Sequence, residues 1–237
     1  MDYPLALALV DFLPVLAMAA GIALLVPYIA RTAGPLAGRA ALAGGVLVVL
    51  GGLLKAVWKL LVAAGGPDVA WLAGVQFYLF GPGFALLAWA VLSGRRPGLP
   101  GLAGPVGSAG PPSRPGPPFW ALAGFALAGV AGALATGATW PLLIVTTVCA
   151  TILGVRLLLL SRHPAGRALF GFNLLGTYVM GLLASRPEQT IALQWVEETL
   201  NTLIWTAFAV AVQRLTREDV PAGGRSELTG ETPSPLQ

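Results

Sequence analysis

AALAGGVLVVLGGLLKAVWKLLVAA, residues Ala40–Ala64, carries only two charged side chains, Lys55 and Lys59. As a helix rising 1.5 Å per residue, a run of this length outreaches the ~30 Å hydrocarbon layer of a bilayer. So apolar a stretch reads as a membrane span, and the rest of the chain agrees. The 237 residues are 56% hydrophobic and 10% charged, with a mean hydropathy of +0.79. Soluble domains carry about 25% charged residues, so this chain lacks the polar surface that a water-soluble globule needs.

Six further apolar segments follow from the same reading: Tyr3–Ile29, Val69–Leu92, Phe119–Ala138, Trp140–Leu160, Gly166–Ala184 and Thr190–Val212. Gly, Pro and charged residues punctuate them, in RTAGPLAGR, AAGGPD, SGRRPG, TGATWP, SRHPAGR and SRPEQT. The fold class expected is all-α, a polytopic bundle of seven transmembrane helices. Residues 1–92 hold the first three helices and 119–219 the last four. Between them, 93–118 is rich in proline and glycine and reads as a flexible cytoplasmic linker. The tail 220–237 reads as disordered and cytoplasmic. The two halves show no convincing internal repeat, which weakens an inverted-repeat transporter reading.

Orientation follows from the basic residues. Of the 14 Lys and Arg, ten fall in alternate loops and the tail: Arg31, Arg39, Arg95, Arg96, Arg114, Arg162, Arg167, Arg214, Arg217 and Arg225. Only Arg186 falls in the opposite set. Positive charge stays cytoplasmic, so the N-terminus is expected outside and the C-terminus inside, in a multi-pass protein of the cell membrane. The same regular placement argues that the net charge of +4 reflects topology and not nucleic-acid binding. MDYPLALALV has no basic n-region, so no cleavable signal peptide is expected.

Ionisable residues inside a membrane cost at least ~2.5 kcal/mol each at its centre and mark functional positions by default. Counting from the outer helix ends at about 1.5 Å per residue, Lys59 lies ~8–9 Å deep and Lys55 ~14–15 Å. In the seventh segment, QWVEETLN places Glu197 and Glu198 ~10–12 Å deep and Asn201 ~16 Å. Asp11, Gln76 and Tyr178 fall at ~10 Å and Asn173 at ~16 Å. Lys55 and Lys59 are four apart and share a helix face. Gln194, Glu197 and Asn201 follow one stripe, with Glu198 flanking it. These spacings predict that the second segment packs beside the seventh, whose acids hold the two lysines, with Asp11 as a third partner.

Three function classes fit such a cluster. The first binds or transports a small polar or zwitterionic solute or a lipid headgroup, with a carboxylate available for proton coupling. The second is a membrane-embedded enzyme using paired carboxylates and lysine as acid and base. The third is a seven-helix receptor or assembly protein in which the ions only fix helix register. Partners expected are the lipid bilayer and a small-molecule or lipid ligand. His163, the only histidine, lies in a loop, so no bis-His haem or His-rich metal site is expected. No P-loop or nucleophile elbow occurs, and no cofactor is implied. The seventh segment has no lysine for a retinal Schiff base. Cys149 is the single cysteine and cannot form an intramolecular disulfide.

Overall fold

The computed structural model describes residues 4–94, 118–184, 186 and 190–218, apart from the side chains of Ala70, Ala73 and Ala184. The tail expected at 220–237 lies outside the described residues, as does the Pro/Gly linker apart from residues 93, 94 and 118. Among the described residues the protein is entirely helical: α1 (Leu5–Val10), α2 (Phe12–Ala33), α3 (Pro35–Ala63), α4 (Ala70–Leu92), α5 (Phe119–Thr136), α6 (Trp140–Leu160), α7 (Pro164–Ala184) and α8 (Ile191–Glu218). α1 and α2 form one interrupted rod. The interruption falls at Asp11, three residues before Pro14, which has no N–H to donate to the carbonyl of Val10.

Among the described residues, five stretches are long and apolar enough to cross a membrane: Leu5–Ala33, Pro35–Ala63, Gly74–Leu92, Phe119–Thr136 and Trp140–Leu160. α7 and α8 fall outside this set; α8 carries the polar run from Gln194 to Asn201 and α7 contains Arg167 and Asn173. Outward-facing leucines complete the case. Leu127, Leu134, Leu175 and Leu182 are each 69% exposed. A face of this kind suits hydrocarbon, where it costs nothing to leave it uncovered by protein. The chain is an integral membrane protein built as a helical bundle.

Six helices pack in the cyclic order α2, α3, α4, α6, α7, α8 and back to α2, while α5 lies outside against α4 and α6. α2 and α8 run parallel, since Asp11 lies by Glu198 and Gly21 by Phe208. Two glycine rows on α3 let it sit tightly between its neighbours. Gly38, Gly45 and Gly52, spaced by seven, face Ala30, Ile22 and Met18 of α2. Gly44 and Gly51 face α4, the first against the carbonyl oxygen of Gly83 and the second against Phe80. Small residues at such crossings let backbones approach where burial from water supplies no drive. On α4, Gly74 has open space beside it, and the tight crossing is at Gly83.

α3 stops in a Schellman motif. Gly65 has φ +73°, the Gly66 N–H donates to the Leu61 carbonyl at 2.9 Å, and the Gly65 N–H donates to Val62 at 3.1 Å. Trp58 Nε1 then donates to Asp68 Oδ1 at 2.9 Å, strapping the following loop to the helix. This fixed end places Lys59 less than two turns from the helix terminus.

Candidate functional site: a buried lysine between two carboxyls

The buried seam of α1–α2 runs Ala8, Asp11, Val15, Met18, Ile22, Leu25 and Ile29, alternating steps of three and four. Asp11 is thus the one charged residue of an otherwise apolar seam. On α8 the inward row is Gln194, Glu198, Asn201, Trp205, Phe208, Val212 and Leu215, with the same alternation. On α3, Lys59 continues the row of Gly38, Gly45 and Gly52. Each charge is therefore carried inward by the helix register that packs the surrounding apolar residues.

The three meet at the end of the bundle where α1 and α8 begin and α3 finishes. Lys59 Nζ donates to Glu198 Oε1 at 2.5 Å and lies 3.4 Å from Asp11 Oδ1. Lys59 and Asp11 are each 5% exposed and Glu198 is 3% exposed. Both carboxyl groups thus approach the one Lys59 ammonium. Asp11 Oδ2 and Glu198 Oε2 have no protein donor, nor does Oε1 of Gln194, one turn before Glu198 on the same face and 7% exposed. Lys55, half-buried one turn away on α3, acts electrostatically on both acids. Counting Lys59 alone against two carboxylates, the centre holds one surplus negative charge, which Lys55 or a proton balances.

The remaining sequence candidates are dispersed. Glu197 is half-buried with Oε1 lacking a donor, beside the row that Glu198 occupies. The stripe read from sequence as Gln194, Glu197 and Asn201 is thus corrected to Gln194, Glu198 and Asn201. Asn201 is half-buried one turn beyond Glu198. Gln76 is buried where α4 crosses α3 at Gly51. Asn173 Nδ2 donates to the Ile204 carbonyl at 3.2 Å, joining α7 to α8. Tyr178 is exposed and shares a 2.6 Å hydrogen bond with Thr151 on α6. Asn173 also borders a recess of about 40 Å³ with Thr177, Trp205 and Phe208, in the α6–α7–α8 region.

One packing expectation is corrected. α3 and α8 do not form a packed helix pair; they lie on either side of the α1–α2 rod. Lys59 and Glu198 span the gap because both have long stems, and Asp11 on the intervening rod completes the bridge.

No protein-family model, curated protein or solved structure matches the chain. The site's chemistry therefore rests on its own geometry. Among the described residues no group of three or more His, Cys, Asp or Glu could hold a metal.

Proposed function

We propose that this protein is a multi-pass carrier or binding protein of the cell membrane, whose Asp11–Lys59–Glu198 centre exchanges a proton while handling a small polar or zwitterionic solute. The observation that carries this reading is the pair of buried acids that both contact a single buried lysine. Such a group changes its charge balance by one proton, and intramembrane carboxylates serve transporters in that way. The centre is closed from solvent, as the occluded arrangement of a carrier would require. A second reading has its own support. The triad joins three segments whose apolar seams already agree in register, so the ions can act as a lock alone.

Thermal unfolding of the purified protein in detergent tests the two. Amino acids, betaines and phosphocholine are titrated as probes. A ligand at a hundredfold excess over its Kd stabilises by about 2.7 kcal/mol. We expect one of these probes to raise the Tm saturably. The same probe should drive proton movement into vesicles carrying an entrapped pH-sensitive dye, and Glu198→Gln should abolish both effects. Loss of both effects in wild type, together with full stability of the charge-free triple variant Asp11→Asn, Lys59→Met, Glu198→Gln, would leave the lock reading standing.

The proposed orientation puts the N-terminus outside and the C-terminus in the cytoplasm. It draws on the arginine bias and on the parallel course of α2 and α8, which start together and end together. Reporter fusions after Gly107 and after Gln237 are expected to report a cytoplasmic location. Either one facing outward overturns the orientation.

A further inference from the structure

The atoms left over at the triad are all acceptors: Asp11 Oδ2, Glu198 Oε2 and Gln194 Oε1. Gln194 is more than nine-tenths buried and belongs to neither acid, so its oxygen is a separate sign that the centre is built around positive charge. A fourth acceptor adjoins them in the chain. The carbonyl of Val10, next to Asp11, loses its helical donor to Pro14. Interrupted helices that offer backbone carbonyls beside carboxylates are a recurrent way to hold a monovalent cation inside a membrane.

Lys59 is itself an ammonium ion, held by the other oxygen of each carboxyl group, and it arrives on a flexible four-carbon stem. Its helix, α3, is not packed on α8, which supplies the closest of its carboxylate contacts. The lysine can therefore withdraw along its stem without separating a helix–helix interface. Lys55 offers a second positive charge on the same face one turn away.

We infer that the triad is a binding site for a small primary ammonium cation, which enters between Asp11 and Glu198 by displacing the Lys59 ammonium. This rests on the triad being a working site, as proposed above, and names the class of ligand it takes. No bond is made or broken; one ammonium replaces another and Lys59 moves aside. Binding adds one positive charge, which offsets the single negative charge by which two carboxylates exceed Lys59.

The full-length wild-type protein in detergent is titrated with methylammonium chloride, and unfolding is followed by temperature. Tetramethylammonium chloride at equal concentration controls for ionic strength, because it has no N–H to donate. Sodium chloride forms a third arm. Methylammonium is expected to raise the Tm saturably, by roughly 5–10 °C at a hundredfold excess over its Kd. Glu198→Gln should remove the response. In Lys59→Ala, where the tethered ammonium is missing, methylammonium should restore stability at lower concentration than it acts on wild type. An equal response to tetramethylammonium, a response to sodium alone, or a flat wild-type titration would overturn the inference. Solute-driven proton movement that persists in vesicles alongside a flat methylammonium titration would sink this inference while leaving the proposed function intact.

Discussion

Lys59→Met is expected to be the most damaging single replacement at the triad, destabilising the protein by on the order of 3–5 kcal/mol. Among the described residues it removes the only cation in direct contact with the two buried carboxyls. Glu198→Gln should cost less, about 1–3 kcal/mol, because Asp11 still faces Lys59 and the charges balance one to one. The order of the two effects matters more than either value. Adding Asp11→Asn and Glu198→Gln to Lys59→Met removes all three charges at nearly constant volume, and should recover most of the loss. Unfolding of the purified variants in mixed micelles by a denaturing detergent measures all three. A Lys59→Met protein as stable as wild type would rule out the buried three-way contact.

Gly44→Val is expected to be comparably severe, through sterics instead of charge. A Cβ at position 44 would sit 2.6 Å from the carbonyl oxygen of Gly83 and 2.9 Å from Cβ of Leu86. Neither is the free end of a flexible chain, so α3 and α4 must separate. Overpacking of this kind costs 1–3 kcal/mol and occasionally more. Here it acts at the crossing that aligns α3 and hence Lys59. We expect loss of monodisperse protein on size-exclusion chromatography. Gly74→Ala is the matched control, since nothing lies within 4 Å of it. That change should be neutral or stabilising by up to about 1 kcal/mol. Equal behaviour of the two variants would show that the α3–α4 crossing tolerates separation.

The helical, membrane-spanning character of the chain was legible because hydrocarbon length and helix rise leave few alternatives for runs such as Ala40–Ala64. The site was legible in depth but less so in direction. Counting residues from the helix ends correctly grouped Asp11, Lys59 and Glu198 at one level, yet it also grouped Tyr178, which is bonded to Thr151 on α6, and Gln76, whose backbone lies against Gly51. Choosing Glu198 over Glu197 required the full row from Gln194 to Leu215. Its apolar members lie about two to five turns beyond the acids and set which side of α8 faces inward. The position of α1–α2 between α3 and α8 is a tertiary fact that spacing within single helices does not contain. α7 and α8 carry enough polar residues to fall outside the set of strongly apolar spans, although both take part in the ring.

The sequence separation within the triad also bears on biosynthesis. Asp11 and Lys59 emerge early from the ribosome, whereas Glu198 follows Lys59 by 139 positions. For most of translation Asp11 is the one member of the acid pair present to face Lys59 and its neighbour Lys55. The second acid arrives only with the last helix, on the segment that closes the ring between α7 and α2. Chains arrested before Ile191 therefore keep the Asp11–Lys59 pair but expose the α2 face that α8 covers, including Gly21 opposite Phe208. Completion of the charged centre and closure of the bundle are one event, and a quality-control system that reads exposed helix faces would release the protein only after it.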